Sequence, residues 1–515
     1  MDKSVLNKAP ALLAAARRDN SLCTELTYLL AVDNAVADFE FSSSELLADK
    51  RFQYAKDLIK DRHQAQYDIF VAILRAYLVE EDFACRHPVY AAYFARRYQA
   101  QVNYQHCLDP VPFYLFDSNQ GGHLVSINPQ DVREIHLVFA SEGRGVASSF
   151  GHVSVRLLVC PDASSSLQAC QQNLFNHVFL GYVARIDGFT MNVLKGFFGG
   201  YDAHLFASTF REVFRANTLL ADRDLYSLPL NLSAQQVEQI VRDLSEIHWS
   251  YRGNYRFITV NCATLLQDLL NEALQLENQS NEALGFLRPD SLFHQLRNSP
   301  LARGSELLSL DKAESKGYYF PRNRVYYQQA LSALLDAIDE YPYASLEQYD
   351  QSRAAKRLYD LLLSDSVYNN LASNDYLLEA QLLLEERQLV YLRFDLFLKV
   401  VDIVIELQLL DVMQAKLKAL PEGVDKQLLR HCYVLPLLQV QMAVPRFDGI
   451  PKLRQLADFQ AKSELVCGSQ QAQQKIFTLV ASAVPDDHQG MKELKLLEQE
   501  LVQTLDNIET LEGLF

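Results

Sequence analysis

Apolar residues recur along this chain with two different periods, and the change of period divides it. Over the first hundred residues the spacing is helical, at Leu26, Leu29, Leu30 and Val32 and again at Ile69, Ile73, Leu74 and Leu78. Asp19-Asn20 and Ser42-Ser43-Ser44 interrupt it as caps or connections, and Pro88 ends or restarts a helix after Cys85-Arg86-His87. From about 111 the apolar runs shorten and alternate. Val111 to Phe116, Glu134 to Ala140, His152 to Val159, Asn176 to Ile186 and Asn254 to Val260 each read as a strand. A glycine-rich bend, Lys195 to Tyr201, precedes a helix over 233–247 with Ser233 as its N-cap, and 262–274 reads as a helix entered straight from the last strand. After about 276 the helical period returns, over 325–340, 344–365, 375–418 and 425–442. The final seam of Leu494, Leu497, Leu501, Ile508, Leu511 and Phe515, interrupted at Thr504, predicts a short coiled-coil or bundle helix. The expected organisation is an α+β domain over 111–275 between helical regions at 1–110 and 276–515.

Composition narrows the partners. A chain of 515 residues exceeds what one hydrophobic core serves, roughly 250–300 residues, so several packed units are expected. With 49% hydrophobic and 22% charged residues it is not a disordered chain. Lys and Arg total 48 against 64 Asp and Glu, and a net charge of −16 excludes nucleic acid as the natural partner. No transmembrane segment is expected, because the most apolar helical stretch, Leu389 to Leu410, is broken by Arg393, Asp395, Lys399, Asp402 and Glu406. The run Ala9 to Ala16 is short for the apolar part of a leader, so no signal peptide is expected either. The eight cysteines form no C-x-x-C pair, which argues against a zinc or iron–sulfur framework, and most are expected to be buried thiols. His123 and His204 have no ligand spacing, so neither metal nor cofactor is expected, and Trp249 is expected in a core.

Two junctions carry chemistry. Ser148-Ser149-Phe150-Gly151-His152 opens a strand with a histidine, and Tyr255 to Cys262 runs a strand into a helix with the cysteine at the joint. A thiol at a helix N-terminus meets the positive end of the macrodipole and unpaired N–H groups, which favour thiolate. Those N–H groups are also candidates for an oxyanion hole. A histidine within reach would act as general base, making Cys262 and His152 a nucleophile and its base. If the two strands at 152–159 and 176–186 pair antiparallel, His152 neighbours Tyr182 to Arg185, while His177 lies roughly 10 Å or more away. Tyr182 is therefore the expected orienting neighbour, and His177 is given a surface or packing role. Asn261 is expected to fix the turn before the helix, or else to donate to the oxyanion.

The segment from about 135 to 275 resembles the Lnb N-terminal periplasmic domain family, named for a bacterial lipoprotein intramolecular transacylase. The resemblance rests on Ser149-Phe150-Gly151-His152, the Lys195-Gly-Phe-Phe-Gly-Gly-Tyr201 bend, Arg223-Asp224-Leu-Tyr-Ser-Leu-Pro-Leu-Asn-Leu-Ser233 and Tyr255-Arg-Phe-Ile-Thr-Val-Asn261-Cys262. Upstream, Cys85-Arg86-His87-Pro88 looks like the family's Cys-Arg-Phe-Pro element. The resemblance implies a permuted papain-like thiol fold, in which the histidine strand precedes the cysteine helix. It implies Cys262 as acyl-accepting nucleophile, His152 as base and a periplasmic setting. Gly199 and Gly200 read first as positive-φ backbone at a bend and second as a border of the acyl site beside Tyr201. Arg223 and Asp224 read first as a structural ion pair and second as substrate contacts, and Tyr255 is a further candidate beside the substrate.

Three readings follow. The first is a thiol acyltransferase or hydrolase acting on an ester or amide of a lipid, lipopeptide or peptide. The second is a non-catalytic scaffold that recruits a protein partner through its C-terminal helices. The third is a cysteine peptidase.

Overall fold

The computed structural model describes residues 82–98, 110–116, 123–142, 151–162, 164–185, 201–251, 253–255, 261–274, 288–407, 449–451 and 488–514, with a few single positions besides. The helices expected before residue 74, the one expected over 425–442, Gly199, Gly200, Cys23, Cys432 and Cys467 lie outside the described residues. Two compact units make up the chain. One comprises Met1–Arg215, Asp224–Phe320 and Gln439–Val466; the other comprises Ala216–Arg223, Pro321–Leu438 and Cys467–Phe515.

The first unit is α+β. Its described strands are β1 (Val111–Phe116), β2 (His123–Ile127), β3 (Val132–Ala140), β4 (His152–Val159), β5 (Val178–Arg185), β6 (Tyr201–Thr209), β7 (Leu225–Pro229), β8 (Gly253–Tyr255) and β9 (Tyr319–Phe320). They form one sheet in the order β2-β1-β6-β5-β4-β3-β7-β9, with β8 paired to β6. Every pair is antiparallel except β1 with β6. The sequence predicts five of these strands and misses β2, β6, β7 and β9. β6 escapes because Ala203, His204 and Ala207 among its buried positions carry no β-branched or aromatic signal. β9 has only two residues.

Three helices of this unit matter for the site: α1 (Pro88–Tyr98), α2 (Ala234–Ser250) and α3 (Cys262–Leu274). α2 starts at Ser233 as predicted, in a capping box where Ser233 Oγ accepts from Gln236 N–H at 3.3 Å and Gln236 Oε1 accepts from Ser233 N–H at 2.9 Å. Val237, Ile240, Val241 and Leu244 of α2, and Leu265, Leu266 and Leu269 of α3, share one core with Val153, Val155 and Leu157 of β4. Each such side chain, once fully buried, contributes about 1.5–3 kcal/mol. Trp249 lies in the interior, where its Nε1–H donates to Pro112 O at 2.9 Å.

The Cys-Arg-His-Pro element is tied to α2. Glu246, fully buried, accepts from Val89 N–H at 2.6 Å and lies 3.3 Å from His87 Nδ1. A carboxylate thus occupies the N-terminus of α1, where helix N–H groups favour negative charge. Beyond the first turns of α2, His248 bridges two strands: its Nε2 accepts from Tyr114 N–H at 3.1 Å and its Nδ1–H donates to Leu205 O at 2.9 Å.

A buried polar cluster lies farther along β4. Arg156, fully buried, donates to His177 Nδ1 at 2.7 Å, Ser227 Oγ at 3.1 Å and Gly317 O at 2.6 Å. His136 joins Ser227 Oγ at 2.9 Å to Glu134 Oε2 at 2.9 Å, and Glu134 is paired with Arg303. His177 therefore has a buried structural place, not a surface one; its Nε2–H donates to Cys170 O at 2.9 Å.

The cysteines require a correction. Cys85 is bonded to Cys107 and Cys160 to Cys170, so four of the expected thiols are disulfides; Cys262 is a buried free thiol. Spacing alone did not reveal the pairs because cysteines 22 and 10 residues apart carry no pairing signal of their own.

The second unit is helical: α4 (Asn323–Ala337), α5 (Ala354–Leu363), α6 (Asp375–Glu406) and α7 (Gln489–Glu512) are its longest described helices. α7 packs against α6 and α5 as a bundle helix. Thr504, which interrupts its apolar seam, is fully buried and accepts from Arg357 Nη2 at 3.1 Å. Arg357 grips the buried Glu385 with two bonds of 2.9 Å, and Tyr349 Oη adds a third at 2.7 Å. The polar interruption is thus a buried ion-pair site.

Burial holds His87, His136 and His177 below an ordinary imidazole, to about 3, about 4 and about 2. The unfolded chain takes up these protons near pH 6.5 while the native state refuses them, so stability present above that pH is lost on acidification. The expected loss is on the order of 1.4 kcal/mol per pH unit for each histidine. Urea unfolding followed through Trp249 at about pH 7 and about pH 5 should show it. Equal midpoints at both pH values would contradict the burial account.

Candidate active site

The site forms where β4 and β5 part. Their ladder runs Leu157↔Val178, Arg156↔Phe179 and Val155↔Leu180, and no further partners join them. Carried on, that register sets His152 level with Val183, within the Tyr182–Arg185 window predicted. On its other side β4 stays paired to β3 through Ala140↔His152. β4 is therefore anchored by one neighbour while its first residues face an opening on the other.

α3 brings Cys262 to this opening. Asn261 caps the helix: its Oδ1 accepts from Ala263 N–H at 2.9 Å and Thr264 N–H at 3.2 Å. Thr264 Oγ1 accepts from Asn261 N–H at 2.8 Å in return. Two first-turn amides are therefore already satisfied, which corrects the expectation that the helix N-terminus at large serves as an oxyanion hole. Asn261 holds the turn, the first of its two expected roles. The Cys262 N–H instead meets Tyr255 Oη at 3.3 Å.

Cys262 is 5% exposed, and burial alone would push its thiol up. Charge and a hydrogen bond from His152, the Val153 amide and the Tyr255 hydroxyl outweigh burial and hold the thiol below its ordinary value. The Tyr255 hydroxyl is pushed well above its own usual range, by burial first and by the charge of Cys262 second. Three donors thus converge on one sulfur. Tyr255 belongs to β8, which pairs with β6 through Tyr201↔Tyr255.

Residues 123–295 match the family model described as the Lnb N-terminal periplasmic domain. The match covers about one third of the chain and contains both His152 and Cys262, while the Cys85-to-Pro88 element lies before it. No curated protein and no solved structure matched the chain. Among the described residues, no helix is long and apolar enough to cross a membrane.

The other predicted site residues fare differently. Tyr182 is buried with its ring edge-on to Tyr251 at 5.1 Å, and among the described residues its hydroxyl has no hydrogen-bond partner. It does not orient His152 through that hydroxyl. The reason is pleat: Tyr182 follows Gly181 on β5 and turns its ring into the helix-covered core. Tyr201 is placed in β6 beside Tyr255. Asp224 accepts from Tyr319 Oη at 3.0 Å and its N–H bonds Ser141 Oγ at 3.0 Å, beside the Ala140 that pairs with His152. Arg223 belongs to the second unit, where its N–H donates to Asn217 O at 2.9 Å. Sequence reading missed the Val153 amide as a donor, since backbone groups leave no trace in residue identity.

Two substitutions separate positioning from chemistry. Asn261→Ala should lower stability by about 1 kcal/mol through loss of the cap, measured by urea unfolding. Tyr255→Phe should leave stability nearly unchanged and raise the pH midpoint of Cys262 alkylation. An unchanged midpoint in Tyr255→Phe would remove the hydroxyl from the site.

Proposed function

We propose that the first unit is a thiol-dependent acyltransferase or hydrolase of permuted papain-like type, acting on an ester or amide. The observation that carries this reading is a buried cysteine held toward thiolate by His152, the Val153 amide and Tyr255. Burial without those donors would make an inert core thiol. The order of parts, histidine strand before cysteine helix, is consistent with it, as is the family match over 123–295.

The Cys262 thiolate attacks the substrate carbonyl carbon, forming a C–S bond as the carbonyl π electrons move to oxygen. The oxyanion is received by the Cys262 N–H and the Tyr255 hydroxyl, the groups that meet each other at 3.3 Å. His152 delivers a proton to the leaving oxygen or nitrogen as that bond breaks, leaving a thioester. An amine or a water, deprotonated by His152, then attacks the thioester and releases the thiol. The acyl group ends on nitrogen or in a free acid, depending on which acceptor reaches the site. The two disulfides support an oxidising compartment outside the cytoplasm. The lipid, lipopeptide or peptide nature of the substrate, and recruitment of a protein by the C-terminal helices, are part of this proposal.

Incubation with a bacterial lipid and lipopeptide extract, an acid quench and mass spectrometry should find an acyl mass on the Cys262 peptide that hydroxylamine removes. Cys262→Ala should carry no such adduct and lose at least about 10³-fold of any turnover. Full turnover in Cys262→Ala would assign the unit to another mechanism, and a wild-type protein with neither adduct nor turnover would assign it to a scaffold.

A further inference from the structure

Beside the donors that hold the sulfur, one residue acts on the imidazole by having no side chain. Gly181 is the first residue of β5 past the end of its ladder with β4. A Cβ built on it would stand 3.2 Å from His152 Nε2, 3.4 Å from Ser154 Cβ and 4.0 Å from Val153 O. The contact with Nε2 is tighter than ordinary carbon–nitrogen packing, so with a methyl group there the imidazole has to give way by a few tenths of an ångström. Nothing in the backbone requires glycine: Gly181 lies within a strand, paired to Phe206 of β6, and is absent from the positive-φ glycines Gly151, Gly317 and Gly449. In a strand interior a glycine of ordinary backbone costs stability relative to a residue with a side chain. What the position requires is therefore space, and the neighbour nearest that space is the imidazole nitrogen.

We infer that Gly181 is a positioning residue for His152, the bare floor that lets the imidazole lie close to β5 and reach the Cys262 thiol. This rests on the Cys262–His152 reading and adds a requirement to it. A side chain at 181 would lift the ring from the floor, lengthen its contact with the sulfur and weaken the largest of the influences that oppose burial of the thiolate.

The test is the pH dependence of Cys262 alkylation by iodoacetamide in the intact, disulfide-bonded protein, for wild type, Gly181→Ala, His152→Ala and the double variant. Gly181→Ala should slow alkylation near pH 6 by about three- to tenfold, with its midpoint moved up, because less thiolate is present. In the His152→Ala background the same alanine should change nothing, since there is no ring left to displace. A further variant, Gly181→Ala with Ser154→Gly, removes the second contact; it should remain slow if the imidazole is what the methyl meets. The circular-dichroism spectrum and urea midpoint of each variant report folding separately. An unshifted profile in folded Gly181→Ala would overturn this inference while leaving the Cys262–His152 pair intact. Recovery by Ser154→Gly would also overturn it, by showing that crowding between strands is the whole effect. A wild-type thiol with an ordinary midpoint would instead overturn the pair itself.

Discussion

The site depends on the parting of β4 from β5. A sheet that stayed laddered to the start of β4 would spend the Val153 amide on its neighbour and close the space that α3 enters. Because the ladder ends at Val155↔Leu180, that amide is available to Cys262 and the imidazole of His152 has room over Gly181. A sulfur taken out of water is penalised in its charged form. Here that penalty is met by an imidazole and an amide from β4 and a hydroxyl from β8, two segments neither of which supplies all the donors alone.

The rest of the first unit keeps that opening from relaxing. β4 is held along its other edge by β3 from Val132↔Val159 to Ala140↔His152, and its helix-side residues lock against α2 and α3. Farther from the opening, Arg156 nails β4 to β5, β7 and the turn at Gly317 through His177, Ser227 and a carbonyl. The strand is therefore rigid at one end and free to serve chemistry at the other. At the helix, Asn261 absorbs the amides of Ala263 and Thr264, which leaves the Cys262 amide as the first-turn donor it does not claim. A general anion site at the N-terminus is thereby reduced to one directed N–H with a tyrosine hydroxyl beside it.

How much was legible beforehand follows from what each feature leaves in the chain. β1 and β4, and the helix over 262–274, were readable to the residue because period and turn chemistry agree there. The pairing of β4 with β5, and so the distance between His177 and the site, followed from one assumption of a hairpin. Tyr182 was misassigned because neighbours in register share a face only when they pair directly, and one step along the strand turns the side chain away. The disulfides, the Arg156 cluster and the splayed ladder depend on residues brought together from far apart, Cys85 with Cys107 and Arg156 with Gly317 among them, and no local pattern announces them. Thr504 shows the same limit in the second unit, where a break in an apolar seam proved to be the partner of a buried arginine.

The central claim is that the protein spends its own hydrogen bonds to keep one buried sulfur ready to ionise. Ultraviolet difference titration of the native, disulfide-intact protein measures that directly, with Cys262→Ser as the blank and His152→Ala as the comparison. The account predicts a thiolate absorbance in wild type that appears well below the ordinary thiol range and shifts upward when His152 is removed. A wild-type thiol that ionises at or above the ordinary value, as burial alone would dictate, would contradict it.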